Sequence, residues 1–217
     1  MRTIVYVDGF NLYYWLKPTP YRWIDLKALA LNSITKPGKE HEIIAVKYFT
    51  APVSDTDDDP GKAQRQHTYF AALRDFIPEF QIFKGEFRRN QDDVPRYTRG
   101  GGVGELVSVW VTEEKGSDVN LAVELVNDAW ANNCDAAVVI SNDSDLEHAV
   151  RTTKRKGRTV INLVRGDADF MSLKKVASYS KFLSMDDLKN ALLPRQIPGS
   201  VHIPHSWELM EQRAGIR

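Results

Sequence analysis

The stretch DAAVVISNDSDLE, residues 135–147, joins an apolar run directly to a group of carboxylates. Its apolar part, residues 136–140, is rich in β-branched side chains and is typical of a strand buried on both faces of a parallel sheet. Asp143 and Asp145 follow as soon as this strand ends. In open parallel α/β sheets, ligands bind in the crevice at the carboxyl ends of the strands. We therefore expect these two carboxylates to lie at a functional edge of the sheet.

The chain opens with a second stretch of the same kind. Residues 3–7 form a short apolar run, and Asp8 follows it directly. Paired strands are separated by about 4.8 Å. If the two apolar runs are neighbouring strands, Asp8 lies close to Asp143 and Asp145.

Length and composition indicate one compact domain, or one domain with a short tail. The chain has 217 residues, of which 42% are hydrophobic and 27% are charged, enough to build a full core. The formal net charge is zero, which argues against a purely electrostatic nucleic-acid binder, although a local basic face can still form. Cys134 is the single cysteine, so an intrachain disulfide and a cysteine-based zinc site are both excluded.

The hydrophobic segments are short. The longest uninterrupted apolar run has about five residues, whereas roughly 20 are needed to cross a bilayer. Asp8 interrupts the N-terminal apolar run before the core of a signal peptide could form. We therefore expect a cytoplasmic protein without a membrane partner.

Segments with strand and helix patterns alternate along the chain. Further strands are predicted at residues 42–51, 80–85 and 158–164, and the clearest helical patterns cover residues 62–76 and 144–156. Parallel strands need crossover connections, which are usually helices. The pattern therefore predicts an α/β fold with a central, mostly parallel sheet and helices on both faces.

The middle of the chain contains a segment of low regularity. Residues 87–104 include four arginines and four glycines, a composition typical of a mobile loop. A basic loop beside an active site would suit contact with a phosphate backbone, and a solvated loop without a function explains the composition equally well. Residues 106–111 are predicted as a strand at the sheet edge or in a hairpin.

Two later segments also carry specific expectations. A helix is predicted to run to Trp130, with Ser117 as its N-cap. From Pro194 onward, the prolines and weak apolar periodicity predict an extended tail. The predicted buried stripe of the helix consists of Val119, Ala122, Val123, Val126, Ala129 and Trp130.

Four acidic residues are expected to converge in this fold: Asp8, Asp118, Asp143 and Asp145. At about 5 Å and an effective dielectric constant near 20, each pair of like charges costs on the order of 3 kcal/mol. Several such pairs are comparable with the whole stability of a domain, about 5 to 15 kcal/mol. The repulsion must therefore be relieved, either by protonation of a carboxylate, by separation of the carboxylates or by a bound cation. Oxygen ligands without cysteine or an organised histidine set indicate Mg²⁺ or Mn²⁺.

Polar residues around the carboxylates have roles that suit phosphate chemistry. Asn11 and Ser141 would position water or form hydrogen bonds with a carboxylate. Lys115 would contact a phosphate as a point charge. A bound divalent cation lowers the pKa of a coordinated water and neutralises charge on the phosphate under attack.

Four motifs together resemble the bacterial NYN-domain proteins of the LabA-like type, which are relatives of PIN-domain nucleases. The motifs are DGFNLY at residues 8–13, RQ at residues 65–66, EKGSDVNLA at residues 114–122 and SNDSDL at residues 141–146. The resemblance covers about residues 1–185 and leaves residues 186–217 as a C-terminal helix and an extended tail. It implies a PIN-like three-layer α/β sandwich and metal-dependent hydrolysis of RNA phosphodiester bonds.

The resemblance also assigns roles to individual residues. It implies Mg²⁺ or Mn²⁺ as the cofactor and RNA as the substrate, while the oligomeric state, including a homodimer, stays open. The resemblance offers no counterpart for the arginine loop at residues 87–104. From their charge alone, the candidates for contact with the substrate are Lys115, Arg65, Arg88 and Arg89. The implied metal ligands and catalytic residues are Asp8, Asp118, Asp143 and Asp145, with Asn11 and Ser141 as catalytic companions.

Other folds with carboxylates at strand ends match the sequence less well. A haloacid-dehalogenase phosphatase needs a second aspartate two residues after the first, where this chain has Phe10. A Toprim-type fold needs a glutamate after its first strand, and a dinucleotide-binding domain needs GxGxxG there. The main alternative is a non-catalytic NYN-like module that binds RNA or a protein partner in regulation.

Overall fold

The computed structural model describes residues 1–34, 40–100, 102–165, 172–198 and 201–216. Strands and helices alternate through most of this length, as the sequence pattern predicts. The elements, in chain order, are β1 (Arg2–Asp8), α1 (Gly9–Leu16), α2 (Leu26–Ile34), β2 (Glu42–Thr50), α3 (Lys62–Phe76), β3 (Phe80–Lys84), β4 (Glu86–Pro95), β5 (Leu106–Lys115), α4 (Ser117–Trp130), β6 (Ala136–Ile140), a single 3-10 turn (Ser144–Leu146), α5 (Glu147–Arg155), β7 (Thr159–Arg165), α6 (Ser172–Val176), β8 (Tyr179–Leu183), α7 (Met185–Lys189), β9 (Gln196–Ile197), β10 (Val201–His202) and α8 (His205–Arg213).

The central sheet has six parallel strands in the order β3-β2-β1-β6-β7-β8. β1 lies between β2 and β6, with Val5 opposite Val46 on one side and Val138 on the other. The predicted pairing of the first strand with the strand at residues 136–140 is therefore confirmed. The chain builds outward from β1 to β3 and then returns to β6, so the carboxyl ends of β1 and β6 flank the point where the strand order reverses. Ligands bind at such switch points in open α/β sheets.

Two apolar clusters cover the two faces of the sheet. Because successive strand residues point to opposite faces, Val5 and Val7 belong to one cluster and Ile4 and Tyr6 to the other. The first cluster includes residues of α1, α2, α3, α7 and α8, and the second includes residues of α4, α5 and α6. The protein is therefore a three-layer α/β sandwich, as predicted. In the part of the chain that the structure describes, each helix is too short or too polar to span a membrane.

Helix α4 buries only part of the predicted stripe. Ala129 is buried as predicted, and Ala122 and Val126 are partly buried against the second cluster. The other three members are exposed, and Leu121, Leu125 and Asp128 are buried instead. Asp128 is accepted in the interior because Lys47 of β2 lies 2.6 Å from its Oδ2 atom. Two apolar stripes are available on this helix, and contacts with the sheet decide which of them is buried. The exposed members of the predicted stripe are Val119, Val123 and Trp130.

The segment predicted as a mobile loop begins with a strand. β4 and β5 form a separate antiparallel hairpin, from Glu86 opposite Lys115 to Pro95 opposite Leu106. The prediction of a loop is therefore wrong for residues 87–95, whereas the prediction of a hairpin strand for residues 106–111 is confirmed. Every residue of β4 is exposed, so its sequence has no alternation of buried and solvated positions to indicate a strand.

The C-terminal segment is not extended where the structure describes it. β9 and β10 pair as a short antiparallel hairpin, and α8 follows. Trp207 of α8 is 7% exposed, and its ring centroid lies 6.3 Å from that of Trp23 and 6.0 Å from that of Tyr69. The prediction of an extended tail from Pro194 is therefore wrong, because widely spaced apolar residues reach the core without forming a periodic pattern. The division of the chain at residue 185 stays a prediction.

Candidate metal centre

Asp8 ends β1 and caps α1, so two elements set its position. Its Oδ1 atom accepts a hydrogen bond from the backbone N–H of Asn11 at 3.0 Å. Its Oδ2 atom accepts a hydrogen bond from the hydroxyl of Ser141 at 2.8 Å. Asp8 is 4% exposed and Ser141 is 2% exposed. The buried bond between them joins the ends of β1 and β6 at the switch point of the sheet.

The loop after β6 is fastened by a short chain of hydrogen bonds. The Ser141 hydroxyl accepts a bond from the N–H of Asp143 at 3.0 Å. The side-chain oxygen of Asn11 accepts a bond from the N–H of Asn142 at 3.2 Å. Buried polar groups that are hydrogen-bonded in this way hold one geometry. Asn11 and Ser141 thus lie beside the predicted carboxylates, while their catalytic roles stay predictions.

Asp118 reaches the site from the first turn of α4. Gly116 precedes this helix with φ of +98°, a conformation that glycine adopts without steric cost. The carboxylate of Glu114 accepts hydrogen bonds from the N–H of Ser117 at 3.1 Å and from its hydroxyl at 2.8 Å. The prediction that Ser117 is the N-cap is therefore wrong, because Gly116 is the N-cap. Glu114 pairs the N–H of Ser117, which has no partner within the helix.

Three of the four predicted carboxylates converge. Asp8, Asp118 and Asp143 each contribute one oxygen, and these three atoms lie within 4.8 Å of one another. Asp145 lies outside this group, is exposed, and donates its backbone N–H to Oδ1 of Asp143 at 2.9 Å. We call Asp8, Asp118 and Asp143 the carboxylate triad. Within the described ranges, no lysine or arginine forms an ion pair with any triad carboxylate.

The electrostatics of the triad favour binding of a cation. Burial raises the pKa of Asp8, although the hydrogen bonds from Asn11 and Ser141 oppose this shift. Removal from water, together with repulsion by Asp8 and Asp143, raises the pKa of Asp118 to about 6. Neighbouring carboxylates resist simultaneous ionisation. Oxygen ligands of this kind fit a hard divalent cation such as Mg²⁺ or Mn²⁺.

The raised pKa of Asp118 predicts a pH-dependent stability in chelator. Unfolding returns Asp118 to an ordinary pKa of about 3.9, so between about pH 4 and pH 6 the folded state binds more protons than the unfolded state. The free energy of unfolding contributed by this group therefore falls as pH rises through that window and is constant above it. In EDTA, we expect the melting temperature of Asp118→Asn to exceed that of the wild type at pH 7, with the difference shrinking towards pH 4. A difference that does not change with pH would contradict this assignment.

The four basic residues predicted to contact the substrate all have partners within the chain. Lys115 pairs with Glu113, and Arg88 pairs with Glu86. These residues lie on the exposed β4–β5 hairpin or at its end. Arg89 places its guanidinium 4.7 Å from the ring centroid of Trp110, and Arg65 pairs with Asp59. Their contacts with RNA stay predictions.

A cavity of about 540 Å³ begins at the residues that follow Asp8 in the chain, although no triad side chain lines it. Gly9 and Phe10, the residues that follow Asp8, form part of its wall, and Phe87 at the start of β4 also lines it. The rings of Phe10 and Phe87 meet edge to face at 5.6 Å. We call this space the aromatic cavity. Its aromatic lining residues are Phe10, Tyr13, Tyr14, Tyr48, Tyr69, Phe70, Phe87 and Trp207.

Sequence reasoning missed two residues that position the site. Glu114 belongs to the quoted motif EKGSDVNLA, and the acidic residue three positions before Ser117 is a signal that could have indicated its capping role. Asn162 is fully buried in β7, where its side-chain amide donates to the carbonyl oxygens of Val139 at 3.1 Å and Ser141 at 3.0 Å. An asparagine inside the apolar run of residues 160–164 is the corresponding signal.

Comparisons with known proteins concern the family and the fold of this chain. A family model described as NYN domain matches residues 2–186. The protein named 6-hydroxy-3-succinoylpyridine 3-monooxygenase HspA from Pseudomonas putida is 30% identical over 243 aligned positions, which cover 95% of this chain and 75% of that protein. A crystal structure of a protein of unknown function from Vibrio parahaemolyticus superposes with a TM-score of 0.54 at 18% identity, covering 88% of this chain and 96% of the other. The structural likeness supports the fold alone.

Proposed function

The chain belongs to the NYN domain family, part of the PIN-like nuclease superfamily, and on that premise we propose that it is a metal-dependent ribonuclease that hydrolyses RNA phosphodiester bonds. NYN nucleases act on RNA. The observation that carries the proposal is the convergence of Asp8, Asp118 and Asp143 within 4.8 Å at the switch point of the sheet. The triad has no basic partner among the described residues, and its oxygens would share a Mg²⁺ or Mn²⁺ ion.

The residues of the chain have distinct roles in this proposal. Asp8, Asp118 and Asp143 would hold the cation, which when bound activates water and neutralises charge on the phosphate. Ser141 positions the Asp8 carboxylate by donating to it at 2.8 Å and positions Asp143 by accepting its N–H. Asn11 holds the loop after β6 in place, because its side-chain oxygen accepts a hydrogen bond from the N–H of Asn142. These bonds exist before substrate arrives, so the geometry of the site is preorganised.

The proposal is tested with purified protein and a labelled RNA pool. We expect cleavage with Mn²⁺ or Mg²⁺ and none in EDTA, because the proposal assigns the activation of water to a cation held by the triad. Cleavage that persists unchanged in Asp143→Asn, with the fold retained, would point to a contaminating nuclease. RNA binding without products in any metal would favour the alternative of a non-catalytic RNA-binding or regulatory module.

A second candidate function is oxidation of a small heteroaromatic compound. The relative from Pseudomonas putida is named as a monooxygenase of a substituted pyridine, and the aromatic cavity of about 540 Å³ has the size of a small-molecule site. The test incubates the protein with 6-hydroxy-3-succinoylpyridine, oxygen and an added electron donor. If a product forms and RNA is not cleaved, this candidate replaces the ribonuclease proposal. RNA cleavage without such a product would exclude this candidate.

A further inference from the structure

The aromatic cavity combines ring surfaces with positive charge. α1, α3 and the start of β4 contribute to its wall, and its volume of about 540 Å³ lies within the range of small-molecule sites. The rings of Tyr13 and Tyr14 meet at 5.4 Å, and those of Tyr48 and Phe70 at 5.6 Å. Aromatic faces of this kind stack on planar rings, and every nucleobase has such a face. The walls therefore suit a flat aromatic ligand.

The polar part of the lining suits an anion. Four basic and two acidic residues line the cavity, and one acid, Asp59, already pairs with Arg65. Arg22 donates from Nη2 to the carbonyl oxygen of Lys17, but its Nε atom is buried and has no hydrogen-bond partner among the described residues. A buried donor without a partner is costly. A ligand oxygen that accepts this hydrogen bond would remove the cost.

From these observations we propose that the aromatic cavity binds a planar heteroaromatic ring that carries an anionic group, with the ring against the tyrosines and the anion at Arg22. The ligand that fits the site best is an unpaired nucleotide of the RNA substrate, and this assignment rests on the proposed ribonuclease function. The cavity wall begins at Gly9, directly after the triad residue Asp8. A nucleotide held there would bring its neighbouring phosphodiester towards the carboxylates.

The test measures binding of nucleoside 5′-monophosphates in EDTA, where the triad holds no cation that could bind their phosphate. We expect Arg22→Gln to weaken binding of the monophosphates about tenfold, because a charge-assisted hydrogen bond is lost. Binding of uncharged nucleosides should change much less. Tyr14→Ala should weaken binding of the monophosphates and of the uncharged nucleosides by at least about fivefold, because stacking on the base is lost. Arg22→Lys keeps the charge and provides a second measurement if Arg22→Gln does not fold.

Matched variants control for nonspecific effects. Trp110 is 62% exposed, as is Tyr14, but it lies on the hairpin away from the cavity lining. Trp110→Ala and Arg155→Gln should bind the monophosphates as the wild type does. Unchanged affinity in both Arg22→Gln and Tyr14→Ala, or no binding at millimolar ligand, would overturn the proposal. If nicotinate binds more tightly than any monophosphate, the cavity is still a binding site, but its ligand is a free small molecule and not a nucleotide of RNA.

The outcome is separable from that of the proposed function. Monophosphate binding in EDTA together with no RNA cleavage in Mn²⁺ would overturn the ribonuclease and leave the cavity site intact. RNA cleavage that is undiminished in Arg22→Gln and Tyr14→Ala, without monophosphate binding, would overturn the cavity site and leave the ribonuclease.

Discussion

Asp118→Asn is expected to lower the rate of metal-dependent RNA cleavage by about a thousandfold, since a bound cation contributes several kcal/mol to stabilising the transition state. Asp118 is the best triad residue for this test. Asp8 and Asp143 cap helical turns through their side chains, whereas the Asp118 carboxylate accepts no hydrogen bond from the described residues. Its replacement removes one charge from the triad without removing a structural bond.

The experiment compares initial cleavage rates in Mn²⁺ with melting temperatures in EDTA. Asp118→Asn should lose activity and, at pH 7, melt at a higher temperature than the wild type, because repulsion within the triad falls. Asp75→Asn, an exposed change in the last turn of α3, should match the wild type in both. Asp145→Asn should lose less activity than Asp118→Asn, because its carboxylate lies outside the triad. Near-normal cleavage by Asp118→Asn would show that the triad is not the cation site.

Lys47→Met is expected to produce the largest loss of stability. Lys47 of β2 lies beneath α4, with its Nζ atom 2.6 Å from Oδ2 of Asp128 and 2.6 Å from Oε2 of Glu124. Tyr6 donates its hydroxyl to the same Asp128 oxygen at 2.6 Å. Removing one partner of a buried pair leaves an uncompensated charge and costs about 3 to 5 kcal/mol. For a chain of this size, we expect the melting temperature to fall by about 10 °C.

Urea denaturation measures the free energy of unfolding of this variant against two controls. Arg2→Met breaks the pair of Arg2 with Asp135, whose side chains are 45% and 40% exposed, so it should cost less than about 1 kcal/mol. The double variant Lys47→Met with Asp128→Asn should recover part of the loss, because the buried charge is gone. A loss below about 1 kcal/mol for Lys47→Met alone would mean that water reaches Asp128.

Much of the central sheet could be predicted because its strands are buried on both faces. Residues 136–140 are apolar without interruption, and the carboxylates that follow indicate where the strand ends. The β4–β5 hairpin could not be predicted in the same way, because solvent reaches both of its faces and no pattern of burial is imposed on its sequence. Trp207 was assigned to a tail for a related reason, since its apolar partners Trp23 and Tyr69 are far away in the chain.

The candidate site likewise has a part that the sequence predicted and a part that it did not. The motifs indicated Asp8, Asp118 and Asp143. The pairing of β1 with β6 and the packing of α4 against β1 bring them together. Asp145 shares a motif with Asp143, but its carboxylate is not among the three that lie within 4.8 Å of one another. Its negative charge still contributes to the raised pKa of Asp118. No motif predicts the aromatic cavity or the place of Arg22 in it, because the lining residues come from separate elements.

The sequence by itself determined the α/β class, the neighbouring places of the first strand and the strand at residues 136–140, and the four aspartates that include the triad. These features depend on local patterns of burial and on carboxylates at strand ends, both of which can be recognised in short segments of the sequence. Only the tertiary structure decided which stripe of α4 is buried, that Asp145 lies apart, and that an aromatic cavity adjoins Asp8. The physical reason is that each of these depends on contacts between residues distant in the chain, and a linear pattern does not encode which of several compatible contacts has the lowest free energy.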